Sequence, residues 1–124
     1  MAMKILIVED IPMNRRLIGD ILKYHGYEIL EAENGEEGIR MAKEHIPDLI
    51  IMDLQMPVKN GYDAIRILKN DPETKHIKIL AVTSFAMAGD REKALETGAD
   101  DYISKPINTR ELPKRVKRLL SENI

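Results

Sequence analysis

Two uninterrupted aliphatic runs, Ile5-Leu6-Ile7-Val8 and Leu49-Ile50-Ile51-Met52, limit the architectures open to this chain more than any other feature. A strand with one face in water alternates apolar and polar side chains; a run that is apolar at every position is covered on both faces. Both runs stop at acids, Glu9-Asp10 and Asp53. Neither approaches the roughly 18–20 residues needed to cross a bilayer.

Three more short segments, Glu28 to Ala32, Ile77 to Val82 and Asp101 to Ser104, read as strands, and helix-period segments separate all five. The first helix carries Met13, Leu17, Ile18, Ile21 and Leu22 and stops at Gly26. The second opens at Asn34-Gly35, carries Ile39 and Ala42, and stops at Pro47. Met56-Pro57 and Asn60-Gly61 punctuate a loop before a third helix with Ile65 and Leu68, which ends at Asn70-Asp71-Pro72. A fourth spans Asp90 to Thr97 and runs into Gly98. The last sets Leu112, Val116, Leu119 and Leu120 on one face, with Asn108 and Glu111 at capping-box spacing. Pro113 fits that box poorly, which moves the expected start towards Glu111.

Strand–helix alternation repeated five times implies an α/β fold, a parallel sheet with helices on both faces. Right-handed crossovers favour the doubly wound order 2-1-3-4-5 in one domain over residues 1–124. The 44% hydrophobic content and net charge of −2 suit a globular domain and give no broad electrostatic case for nucleic acid or membrane. The absence of cysteine excludes disulfides, thiol catalysis and thiolate metal sites. With no signal peptide at the start of the given sequence, the expected compartment is the cytoplasm.

In a doubly wound sheet, chemistry sits at the carboxyl ends of the strands, beside the switch between strands one and three. Glu9, Asp10 and Asp53 occupy that place. Carboxylates roughly 5 Å apart repel by about 3 kcal/mol per pair at an effective dielectric near 20, so such a cluster takes up protons or a cation. Oxygen ligands without His or Cys suit a hard ion, Mg²⁺ or Mn²⁺, and Mg²⁺ commonly bridges carboxylate to phosphate. Such an acid cluster suggests phosphoryl chemistry, with one carboxylate as a candidate nucleophile. Thr83 and Lys105 end strands four and five on the same sheet edge, a hydroxyl and an ammonium suited to a phosphoryl transition state. Pro106 follows the lysine, and a cis Lys105–Pro106 bond is one way to aim Lys105 inward.

Val8-Glu9-Asp10, Met52-Asp53-Leu54-Gln55-Met56-Pro57, Asn60-Gly61, Val82-Thr83-Ser84 and Ser104-Lys105-Pro106 together resemble the receiver domain of two-component response regulators, in its stand-alone chemotaxis and cell-cycle form. The resemblance runs from Lys4 to Leu120 and implies the flavodoxin-like order given above. It further implies that Asp53 accepts a phosphoryl group from a sensor histidine kinase or a histidine phosphotransfer protein. Glu9, Asp10, Asp53 and the backbone carbonyl of Gln55 would hold Mg²⁺. Lys105 would contact a phosphoryl oxygen, Thr83 would move to bond another, and Tyr102 would turn inward with it. Output would pass through the surface of Met87 to Thr97, Tyr102 and the last helix to a downstream protein. Gln55 and Phe85 take positions that tune phosphoryl lifetime in this family, with Phe85 expected to limit water attack. Glu9 stands where the family more often has Asp.

An excised receiver from a multidomain regulator fits the same residues. A Mg²⁺-dependent phosphohydrolase would need a second Asp where Gln55 stands, and a flavoprotein would need a phosphate-binding loop. A receiver that binds partners without phosphorylation is disfavoured by the intact motif set. The chain is therefore expected to be no enzyme beyond its own phosphorylation and dephosphorylation. The basic residues Arg110, Lys114, Arg115, Lys117 and Arg118 read as the solvated face of an amphipathic helix. His25, His45 and His76 are too scattered to form a metal set.

Overall fold

The computed structural model describes residues 2–56, 60–84 and 89–122. Five strands, β1 (Lys4–Val8), β2 (Glu28–Ala32), β3 (Leu49–Asp53), β4 (Lys78–Thr83) and β5 (Asp101–Ser104), alternate with five helices. These are α1 (Pro12–Tyr24), α2 (Gly35–His45), α3 (Gly61–Lys69), α4 (Asp90–Thr97) and α5 (Glu111–Ser121). All strand pairs are parallel and the order is β2-β1-β3-β4-β5, as the alternation predicted.

The unbroken apolar runs have their cause in two separate cores. Leu6, Val8, Ile50, Met52, Ile79 and Ala81 pack with Ala42, Ala64, Ile65, Leu68 and Ala94 from α2, α3 and α4. Ile5, Ile7, Leu49, Ile51, Leu80 and Val82 face the other way, against Ile18 and Leu22 of α1 and Leu112, Val116 and Leu119 of α5. Side chains alternate between faces along a strand, so covering both faces makes every position apolar.

Asparagines cap two helices, each at an Asn-Gly pair that marks the helix start in the sequence. Asn34 Oδ1 accepts from Glu37 N at 2.8 Å, and Asn60 Oδ1 accepts from Asp63 N at 3.0 Å. Helix α5 begins at Glu111, and Asn108 Oδ1 accepts from the N–H groups of Arg110 and Glu111. Glu111 turns instead to Arg115, at 2.9 Å. Strand β4 starts at Lys78, one residue later than expected, because Ile77 N–H is taken by Thr74 O in the preceding turn.

The basic face of α5 is largely exposed, as the sequence pattern implied, but two of its arginines also engage an acid of the sheet. Asp101, buried at the start of β5, accepts from Arg115 Nη1 at 2.9 Å and from Arg118 Nη2. These bonds tie the last helix to the edge strand. Asp101→Ala is expected to lower the unfolding free energy by about 2 kcal/mol, the scale of charge-assisted bonds partly open to water, as read by urea denaturation.

Candidate functional site

Backbone ladders carry the site residues to one crevice. Glu9 N–H donates to Ala32 O at 3.1 Å, Leu54 N–H to Val82 O at 2.8 Å, and Lys105 N–H to Thr83 O at 2.7 Å. Each bond continues its strand pair one step beyond the regular strand, so Glu9, Asp53, Thr83 and Lys105 emerge at the carboxyl edge. Because β1 lies between β2 and β3, the chain reverses its direction of travel here and opens the crevice. Arg15 braces the loop after β1, donating from Nη1 to Glu9 O at 2.8 Å and approaching Glu31 at 3.4 Å.

Glu9, Asp53 and Thr83 are buried, while Asp10, Gln55, Tyr102 and Lys105 are half-buried. One carboxylate oxygen from each of Glu9, Asp10 and Asp53 lies within 4.8 Å of the others. Lys105 Nζ is 2.6 Å from Glu9 Oε1 and 3.3 Å from Asp53 Oδ2. The Lys105–Pro106 peptide bond is cis. Asp53 Oδ1 accepts from Gln55 N–H at 3.0 Å, and Glu9 Oε2 from Ile11 N–H at 3.2 Å.

Three carboxylates gather around one ammonium. Burial raises the Glu9 carboxyl above its ordinary value and Asp53 adds to the rise, with Lys105 opposing it. Asp10 is raised by burial and by Glu9. Burial alone would lower Lys105, but the hydrogen bond to Glu9 and the charges of Asp53 and Glu9 outweigh it and hold the ammonium above its ordinary range. Asp10 Oδ1 is buried with no hydrogen-bond partner among the described residues. An orphaned anionic oxygen beside two more carboxylates is a donor set for a small hard cation.

Tyr102 packs against the α2–α4 core, and burial followed by the charge of Asp90 pushes its hydroxyl up. Pro57, Phe85 and Met87 lie outside the described residues. The sequence reading missed the side chain of Gln55: its Oε1 accepts from Thr83 Oγ1 and from Ser84 N–H, each at 2.9 Å. The sequence carries no signal for this meeting, since the partners are 28 and 29 residues apart.

The parallel 2-1-3-4-5 sheet, the acids clustered at its switch point and the lysine from the last strand's end match the arrangement that the resemblance to receiver domains implies, a class of phosphorylation-dependent signalling modules rather than conventional enzymes. The response regulator receiver domain model matches residues 5–117, and the chain belongs to that family. The polar-differentiation response regulator DivK of Brucella anthropi is 41% identical over 122 residues, covering 98% of this chain and 99% of that protein. A putative response regulator from Chloroflexus aurantiacus superposes with a TM-score of 0.93 at 31% identity, covering 98% of this chain and 99% of that one. The receiver domain of a Pseudomonas aeruginosa sensor histidine kinase, solved with a magnesium ion coordinated in its active site cleft, gives 0.90 at 34% identity over 98% of this chain and 99% of its own. No helix among the described residues is long and apolar enough to cross a membrane.

Proposed function

We propose that residues 1–124 form a single receiver domain that takes a phosphoryl group onto Asp53 from the phosphohistidine of a sensor histidine kinase or a histidine phosphotransfer protein. The observation that carries this reading is the convergence of Glu9, Asp10 and Lys105 on one buried aspartate, with a threonine hydroxyl on the adjoining strand. Glu9, Asp10, Asp53 and the backbone carbonyl of Gln55 would hold Mg²⁺, or Mn²⁺ in its place. Such an ion neutralises carboxylate charge and polarises the phosphoryl oxygens.

The residues of the chain do the rest. An Asp53 oxygen attacks phosphorus; the new P–O bond forms as the P–N bond breaks, and its electron pair stays on the donor imidazole. Lys105 exchanges part of its contact with the carboxylates for a phosphoryl oxygen, so charge developing there meets a fixed cation. Asp53 then carries roughly −2 in place of −1, with strong acceptor oxygens. Those oxygens favour the conformation in which Thr83 reaches them and Tyr102 turns inward. Around 2 kcal/mol of differential binding shifts that equilibrium about thirtyfold. The altered surface of α4, Tyr102 and α5 is then read in the cytoplasm by a downstream protein through direct contact, without nucleic acid or membrane insertion. Catalysis is confined to the domain's own phosphorylation and dephosphorylation.

Incubation with Mg²⁺ and acetyl phosphate, followed by intact-mass measurement, tests the acceptor. The expected result is one added phosphate on the native chain and none on Asp53→Asn. An unmodified native chain, or a variant modified to the same extent, overturns the reading.

A further inference from the structure

Two hydrogen-bond donors beside Asp53 converge on a single oxygen. Thr83 Oγ1 and Ser84 N–H both donate to Gln55 Oε1, each at 2.9 Å, while the Gln55 N–H donates to Asp53 Oδ1 at 3.0 Å. A carboxamide oxygen accepts and never donates, so the proton between Thr83 and Gln55 belongs to Thr83. A hydroxyl has one proton to give. While Gln55 Oε1 holds it, Thr83 cannot donate it to an oxygen carried by Asp53. The same Gln55 oxygen also occupies the neighbouring main-chain donor.

We propose that the Gln55 side chain is an internal substitute for a phosphoryl oxygen, occupying the Thr83 and Ser84 donors in the unphosphorylated protein and yielding them when Asp53 is modified. This rests on the reading of Asp53 as acceptor and adds a regulatory element to that site. Gln55 is a positioning residue, and the strength of its two bonds sets how far the resting switch lies from its engaged form. The competition is uneven by design of charge. A neutral amide oxygen holds neutral donors with ordinary bonds, whereas an anionic phosphoryl oxygen holds them about twice as strongly. Gln55 therefore loses to a phosphoryl group yet reduces the margin. Chemistry at the position is restrictive: an aliphatic side chain leaves the buried Thr83 hydroxyl without this acceptor, and a carboxylate adds a charge beside three others.

Beryllofluoride, a phosphoryl analogue, tests the substitution on the intact chain at saturating Mg²⁺, with NMR of the Ser84 amide and the Thr83 methyl as readouts. Gln55→Met keeps length without the acceptor, and its apparent affinity for beryllofluoride is expected to rise about fivefold, the equivalent of one net hydrogen bond. The analogue-free variant should show both signals moved towards their saturated positions. Gln55→Asn, too short to reach, should behave alike and serves if the Met variant folds poorly. The gain should persist in a Thr83→Ser background and fall by at least half in Thr83→Val. Unchanged affinity in both Gln55 variants, or an equal gain in the Thr83→Val background, overturns the substitution while the native chain still binds beryllofluoride. Failure of the native chain to bind it at all overturns the acceptor reading as well.

Discussion

Lys105→Met is expected to destabilise the cation-free protein by about 3 kcal/mol at neutral pH, because it removes one partner from a largely buried charge group. The ammonium lies 2.6 Å from Glu9 and 3.3 Å from Asp53, and no other cationic side chain among the described residues forms an ion pair with these carboxylates. The loss should depend on pH with a definite sign. Glu9 and Asp10 are raised in the folded protein above their ordinary values of 4.5 and 3.8. Between those values and the raised ones the unfolded chain binds fewer protons than the native one, so stability falls as pH climbs through the window. Lys105 is itself raised, so its stabilisation is present throughout that window and is lost only at alkaline pH. Without it the acids are held neutral to higher pH, and the decline should begin from the same point and extend further. Saturating Mg²⁺ should restore much of the loss, about 2.7 kcal/mol at a hundredfold excess over its dissociation constant. Asp53→Asn should act in the opposite direction. Relieving repulsion of about 3 kcal/mol per carboxylate pair outweighs the weaker Lys105 contact, leaving a net gain of about 1 kcal/mol without cation. Urea titrations across pH, with and without Mg²⁺, check all of this. Equal stability of Lys105→Met and the native chain at every pH would show that the three acids do not depend on the lysine.

The parts of the molecule legible in the sequence are those whose cause is local or periodic. Ile5 to Val8 and Leu49 to Met52 announce strands buried on both faces because no position there can afford a polar side chain, and the two cores divide them by alternate residues. Asn34 and Asn60 announce helix starts because the capping oxygen and its N–H are three residues apart. The crevice was legible at one remove: strand order places the ends of β1 and β3 side by side, so the acids after them meet. What escaped depends on side chains meeting across the fold. Asp101 looks like any acid opening an edge strand, and the polar stripe of α5 does not disclose that two of its arginines face that acid. Gln55 is of the same kind, since its partner is chosen by how the crossovers bring two strand ends together.

Gly61→Ala is expected to be the most damaging methyl addition among the described glycines, and the reason lies in the acceptor's own backbone. A Cβ built on Gly61 would fall 2.3 Å from Asp53 O and 2.7 Å from Leu54 Cα. Both obstacles are main chain at the end of a fully buried strand, so neither can rotate aside. Gly61 also donates its N–H to Leu54 O at 3.2 Å, which holds the start of α3 against that strand. Relief requires the helix to retreat or the strand end to shift, at a cost of about 3 kcal/mol, the upper end for overpacking. Gly38→Ala is the informative contrast, because its Cβ would meet only side-chain atoms, Val8 Cγ2 at 2.8 Å and Cγ1 at 3.0 Å, which a small shift of that side chain and not of a strand's backbone must relieve. Its cost should be about 1 kcal/mol. At Gly19, inside α1, the nearest atoms are Ile29 Cγ2 and Ile7 Cδ1, both at 3.8 Å, which is ordinary contact. Gly19→Ala should therefore stabilise the protein by about 0.5–1 kcal/mol through helix propensity. Denaturant midpoints rank the three, and acetyl phosphate incorporation separates mere instability from displacement of the acceptor. Under conditions where both variants are fully folded, Gly61→Ala should take up phosphate at least tenfold more slowly than Gly38→Ala, because its clash is with the residue that reacts. Equal uptake by the two would mean that α3 absorbs the whole displacement and that Asp53 stays in place.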